Sequence, residues 1–168
     1  YLYCVPVEDY THFIRYEPDG SGGSWSQMNS LPQATDWYAT GVVSPVEDRV
    51  YVFNKALGNR FVRYDVQEDL WDELTYLPDT MRKGGAQCGY QGYIYYLRGE
   101  DSTFRRYNTT DDTWEDLEAA PNSFSAWDVT MLPVEYGGEL SLYLTGGKDR
   151  SGFYRYDIPT DQWETLND

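Results

Sequence analysis

Short apolar runs alternate with clusters of turn-forming residues along the whole chain, and no window keeps a helical period over a useful length. Leu2-Tyr3-Cys4, Val50-Tyr51-Val52, Ile94-Tyr95-Tyr96 and Leu142-Tyr143-Leu144 are such runs, each centred on a tyrosine. Ten residues beyond Tyr3, Tyr51 and Tyr143, and nine beyond Tyr95, a Phe-x-Arg-Tyr segment begins. Its four copies are Phe13-Arg15-Tyr16, Phe61-Arg63-Tyr64, Phe104-Arg106-Tyr107 and Phe153-Arg155-Tyr156. Each precedes a tryptophan (Trp25, Trp71, Trp114 and Trp163), and the Trp-to-Trp steps are 46, 43 and 49 residues. An apolar residue stands three positions after each Trp: Met28, Leu74, Leu117 and Leu166. Pro32, Pro78 and Pro121 follow four residues later in the first three copies.

Small and apolar runs lie upstream of three copies: Ala39 to Val43, Gly84 to Gly89 and Asp128 to Leu132. Each full unit therefore predicts four short strands, enriched in aromatic and β-branched residues and separated by Gly, Asp and Asn. Asp65 to Asp69, Asn108 to Asp112 and Asp157 to Asp161 predict tight turns between the third and fourth strands. The first copy lengthens this turn with Gly20-Ser21-Gly22-Gly23. A repeat of this period implies stacked supersecondary units, with propeller blades the leading candidate. The expected fold class is an all-β propeller of about four four-stranded blades: 1–32 (incomplete), 33–78, 79–121 and 122–168.

Along the third strand Phe and Arg share one face and Tyr takes the other. The repeated Phe, Arg, Tyr and Trp are read as scaffold. The Arg stem covers the neighbouring sheet while its donors bind loop carbonyls or a turn carboxylate. The Trp packs between sheets.

These motifs resemble the kelch repeat. Tyr156-Asp157-Ile158-Pro159-Thr160-Asp161-Gln162-Trp163, with Gly146-Gly147 ahead of it, is the best match, and the resemblance covers nearly the whole chain. Other copies depart from it, with Arg98-Gly99, Asn54-Lys55 and Pro6-Val7 in place of the glycine pair. Tyr93 to Gly99 is similar to the variant common in secreted prokaryotic kelch-like proteins. The resemblance implies a propeller, usually of six or seven blades, and no particular activity. Since Tyr1 falls inside a predicted strand, further blades are expected upstream. The alternative is an open four-blade unit that closes by pairing with another copy.

A net charge of −15 argues against nucleic acid and anionic membrane surfaces as partners. No apolar run approaches the roughly 20 residues of a membrane-spanning helix. Cys4 and Cys88 fall two blades apart, so two buried free thiols are expected rather than a disulfide. Asn108-Thr109-Thr110 is a glycosylation sequon in a surface turn. The 17 tyrosines, the few lysines and the repeat variant point to an extracellular or cell-surface setting.

Catalytic chemistry finds little support. His12 alone builds neither a metal site nor a triad. Galactose oxidase carries kelch repeats, but its copper centre needs two histidines and a Tyr-Cys crosslink. Acid pairs such as Glu8-Asp9, Glu47-Asp48 and Glu100-Asp101 are too common in this chain to be informative. No cofactor, metal or catalytic residue is expected. The informative residues are those that break the repeat, on two loop sets leading toward one face. Trp37, Tyr38, Arg82, Lys83, Arg98, Trp127 and Arg150 are the candidate recognition residues. The alternative is that Trp37 and Trp127 plug the inner rim of the ring. The expected function is non-enzymatic recognition of a protein or glycan. One alternative is a carbohydrate-active enzyme whose catalytic residues lie outside this chain, for which kelch-bearing sialic-acid epimerases are the precedent. Another is a repeating subunit of an extracellular coat or filament.

Overall fold

The computed structural model describes residues 1–4, 11–34, 40–43, 48–53, 58–82, 84–124, 129–146 and 152–166. These form four antiparallel sheets and, among the described residues, no helix. The first sheet has three strands: β1 (Leu2–Cys4), β2 (Ile14–Glu17) and β3 (Ser24–Gln27). The second joins β4 (Thr40–Val43), β5 (Arg49–Phe53), β6 (Phe61–Asp65) and β7 (Leu70–Glu73). The third joins β8 (Ala86–Tyr90), β9 (Tyr93–Leu97), β10 (Phe104–Asn108) and β11 (Thr113–Asp116). The fourth joins β12 (Thr130–Tyr136), β13 (Glu139–Thr145), β14 (Phe153–Asp157) and β15 (Gln162–Thr165). Spatial order equals chain order in every sheet. The first strands of the second, third and fourth sheets gather together, with β8 lying between β4 and β12.

Turn chemistry sets these meanders. Asp65 Oδ1 accepts from the Gln67 and Glu68 amides at 2.9 and 3.1 Å, closing the β6–β7 turn. Asn108 does the same for β10–β11, accepting from Thr110 and Asp111 at 2.9 and 3.3 Å. Gln91 and Gly92, at φ 45° and 80°, make the two-residue link from β8 to β9. That turn needs positive φ at both central positions.

Register places one strand-two Tyr opposite each strand-three Arg: Tyr3 opposite Arg15, Tyr51 opposite Arg63, Tyr95 opposite Arg106 and Tyr143 opposite Arg155. On the other flank Arg63, Arg106 and Arg155 face Asp72, Glu115 and Glu164 of strand four, at 2.9, 2.7 and 2.8 Å. The expected partners were loop carbonyls or turn carboxylates. The acids sit on the neighbouring strand instead, because antiparallel pairing sets those side chains directly opposite. In the first sheet Ser26 occupies that place opposite Arg15.

The core lies between sheets. Phe13 meets Val50, Val52, Val62 and Tyr64 at the first junction. Tyr51, Phe53 and Phe61 meet Ile94, Tyr96 and Tyr107 at the second. Tyr95, Leu97 and Phe104 meet Leu142, Leu144, Tyr154 and Tyr156 at the third. One cysteine departs from expectation. Both thiols are free and Cys88 is buried, but Cys4 is exposed on the outer side of the first sheet. Burial pushes the Cys88 thiol up to about 12. A thiol reagent at neutral pH should therefore label one cysteine per native chain and two in denaturant. Rapid labelling of both in the native state would contradict this packing.

Candidate functional site

Three polar junctions repeat across the sheets, and they show what the repeated Tyr, Asp and Trp within this chain do. Tyr107 donates its hydroxyl to Asp112 Oδ1 at 2.7 Å. The same oxygen accepts the Thr75 amide of the preceding sheet at 2.9 Å. Trp114 Nε1 donates to the Thr75 carbonyl at 3.1 Å. One residue just past β7 thus has both backbone groups held by the next sheet. Tyr64, Asp69 and Trp71 hold Asn29 in the same way, at 2.6, 2.9 and 2.9 Å. Tyr156, Asp161 and Trp163 hold Glu118 at 2.7, 2.8 and 2.9 Å. The three Asp residues have φ of 53°, 54° and 55°, a conformation that Asp tolerates better than most side chains. We call each set a clamp.

The first copy lacks this carboxylate. Gly23 lies two residues before Trp25, where Asp69, Asp112 and Asp161 lie before their own Trp. Its φ is 80°, and an added Cβ would stand 2.5 Å from the Glu17 carbonyl oxygen. Asp19 Oδ1 is turned inward and takes the Ser21 and Gly23 amides, each at 2.9 Å. The Ser21 hydroxyl donates to the same oxygen at 2.7 Å, and this bond first, with the two amides behind it, pulls the Asp19 carboxyl down to about 2.

The loop face is built around the β9–β10 loop. Arg98 Nε donates to the Thr80 carbonyl at 3.0 Å, and its guanidinium meets Asp101 at 2.5 Å. The Arg82 amide returns a bond to the Arg98 carbonyl at 3.2 Å. Glu100 donates its amide to the Phe124 carbonyl at 2.6 Å, and Ala120 donates to the Ser102 carbonyl at 2.9 Å. The linkers on both sides of the third sheet thereby meet its central loop. Beneath them Arg105 pairs with Asp79 at 2.5 Å and also with Asp116. That guanidinium holds the Asp79 carboxyl below its usual range.

Of the candidate recognition residues, Arg82 and Arg98 belong to this cluster. Arg98 is only 15% exposed and acts as a tie between loops. Arg82 is 50% exposed and pairs with Glu100 at 3.3 Å, so among the described residues of this face it is the cation most available to a ligand. Trp37, Tyr38, Lys83, Trp127 and Arg150 lie outside the described residues. Asn108 has both ends of its side chain engaged, because Nδ2 also donates to Asp111 at 2.8 Å. It stands where Asp65 and Asp157 cap the equivalent turns, which gives this Asn a scaffold role independent of the sequon. Among the described residues no three metal-ligating side chains gather, and no helix is long and apolar enough to cross a membrane.

Sequence reading missed an apolar groove of about 290 Å³ on the outer face of the fourth sheet. Thr130, Leu132, Val134, Tyr143, Thr145 and Phe153 line it. The alternation of Leu132 and Val134 along β12 signals a one-sided strand. That signal does not say whether another sheet lies beyond it.

No family model matches this chain. No curated protein matches it either. Among solved structures, "Structure of YjhT" is similar with a TM-score of 0.71, at 14% identity over 94% of this chain and 59% of that one. At that identity the likeness speaks for the fold alone. The fold and clamps define a repeat protein of stacked antiparallel sheets of three or four strands, and the chain spans less than two thirds of that solved chain.

Proposed function

We propose that this chain is part or all of a kelch-like β-propeller that serves as a non-enzymatic recognition module. Its ligand is a protein or glycan met at the loop face, outside the cell or on its surface. One observation carries the reading. Loop segments from successive repeats converge around Arg98 and are tied to a scaffold whose sheets are clamped to one another. Such a scaffold holds loops in one geometry, which lowers the ordering cost of binding. Arg82 and Glu100 give that face exposed charge of both signs. Trp37 and Trp127 would add aromatic surface, and aromatic residues with Arg carry most of the energy in many interfaces.

Glycan-array and pull-down binding by the native chain tests this. Arg82→Ala and Trp37→Ala should each weaken capture about tenfold or more, with the unfolding midpoint unchanged. A large loss of stability in Trp37→Ala would instead assign that ring to the core. Turnover of a sugar that disappears when a facing acid pair is replaced would overturn the non-enzymatic reading.

A further inference from the structure

One row of cross-strand partners lies just beneath the ends of the strands that carry the loop face. It reads Cys4–Ile14 in the first sheet, Gly41–Val52–Val62 in the second and Met131–Leu144–Tyr154 in the fourth. The Tyr154 hydroxyl there accepts from Asn122 Nδ2 at 2.6 Å. In the third sheet the same row reads Gln87–Tyr96–Arg105, so polar residues stand where the repeat is otherwise apolar.

Two of these residues carry a buried polar atom without a partner: Gln87 Oε1 and the Tyr96 hydroxyl. They belong to side chains directly opposite one another on β8 and β9. Arg105, on the other flank of Tyr96, is already paired with Asp79 and Asp116. Among the described residues the other buried side-chain atoms without partners are the Tyr3 hydroxyl and the Nε of Arg15, Arg63 and Arg155. All of those lie in the Tyr–Arg row that every sheet repeats, so the scaffold accounts for their position.

Packing does not account for the Gln87–Tyr96 pair. The Tyr96 side chain is 1% exposed, stacked on Phe53 at 5.2 Å and edge-on to Trp114 at 6.2 Å. A phenylalanine would make the same contacts. A buried hydroxyl without a partner opposes folding, since its bonds to water are given up without replacement. Departures of that kind from local consistency concentrate at functional sites. Burial also pushes the Tyr96 hydroxyl upward, so it stays protonated and can both donate and accept. Its place agrees with such a role. Tyr96 stands one residue below Leu97, where the loop of Arg98, Glu100 and Asp101 begins. Gln87 is half-buried on β8, the strand between β4 and β12.

We propose that Gln87 and Tyr96 form the buried floor of the loop-face site and hold a hydroxyl group of a saccharide. The hydroxyl donates to Gln87 Oε1 and accepts from Tyr96, which satisfies both atoms at once. A charged group fits poorly. The nearby guanidiniums of Arg98 and Arg105 are already neutralised by Asp101, Asp79 and Asp116, so a further buried charge would go uncompensated. A saccharide is favoured over a protein surface because both atoms are buried beneath the strand ends, where one ring hydroxyl reaches and a broad, flat contact does not. This inference rests on the loop-face reading given above and names its ligand.

Glycan-array capture, then titration of the captured sugar and its monodeoxy forms into the native chain, Tyr96→Phe and Gln87→Met, tests it. Tyr96→Phe should keep or raise the unfolding midpoint of the sugar-free protein and weaken sugar binding at least about tenfold. Gln87→Met should weaken binding to a similar degree. One monodeoxy sugar should bind the native chain at least about tenfold more weakly than the parent, yet bind Tyr96→Phe as well as the parent does. A lowered midpoint in Tyr96→Phe would give the hydroxyl a structural partner such as a trapped water, and would overturn the inference. Full capture by Tyr96→Phe, with capture lost in Arg82→Ala, overturns it and leaves the loop-face reading standing. Capture of a protein but of no glycan overturns the assignment to a saccharide. A native chain that captures neither removes the loop-face reading, and this inference with it.

Discussion

Phe61→Ala should lower the free energy of unfolding by about 3–5 kcal/mol, the usual range for removing a buried ring. Phe61 has no exposed surface. Its ring is stacked on Phe53 at 4.5 Å and covered edge-on by Tyr107 at 4.8 Å. The space left behind would be walled by two sheets whose separation is set by the clamps, so it could collapse only in part. Phe153→Ala removes the same ring from the same repeat position, but that ring is 38% exposed among the described residues, so the loss should be smaller than for Phe61→Ala. Guanidinium unfolding of both variants measures the contrast. Equal losses would mean that the junctions are not what holds the sheets together. Because stacked repeats need not unfold in one step, hydrogen exchange on β6 and β10 should accompany the denaturation curve.

The clamp at Asp112 should show the next largest effect. Asp112→Ala strips the acceptor from the buried Tyr107 hydroxyl and from the Thr75 amide. It also forces alanine into a φ of 54°. We expect a loss of about 2–3 kcal/mol, kept below the sum of its parts because Asp112 is solvent-exposed and water replaces some of the bonding. Asp112→Asn keeps an acceptor and tolerates the backbone. Asp112→Gly keeps the backbone and drops the acceptor. The stability order should be Asp, Asn, Gly, Ala, and an alanine as stable as asparagine would dismiss the clamp.

The pH dependence of this clamp has a definite sign. Burial pushes the Asp112 carboxyl upward, but the bonds from Tyr107 and Thr75 outweigh it and leave the carboxyl below its ordinary range. Its contribution is present above the unfolded value of about 4 and is lost as pH falls through the folded value. Asp112→Asn should therefore flatten the acid limb of the stability profile. Tyr107 moves the other way, raised by burial first and by Asp112 second. Its contribution is complete below about pH 10 and is lost as pH rises through the folded value. Tyr64 and Tyr156 are raised for the same reasons. Ultraviolet titration should find these hydroxyls ionising only as the protein unfolds.

Much of the fold was legible because repetition averages away local ambiguity. A single run such as Ile94-Tyr95-Tyr96 is equally compatible with a buried helix segment. Four runs in step with four Phe-x-Arg-Tyr segments are not. The partners of the repeated Arg were harder to read. Their acids lie nine residues downstream at Asp72, Glu115 and Glu164, within a chain so acidic that no carboxylate stands out. Cys4 was misjudged for a related reason. It occupies a strand position equivalent to core residues elsewhere, but among the described residues no sheet packs over it and it is exposed. At the candidate site, Arg82 and Arg98 looked alike in sequence. Only their surroundings separate a half-exposed cation from a loop tie.

Alternation, turn residues and the repeat period were enough by themselves to determine strands, turns, sheet order and which side chains share a face, because these depend on local stereochemistry and on contacts at fixed sequence offsets. Tertiary structure alone decided that an Asp in one sheet holds the backbone of the sheet before it, and that Gly23 breaks that rule. Those outcomes depend on which sheet stands next to which, and a side chain's value there is set by the neighbour it meets across the gap.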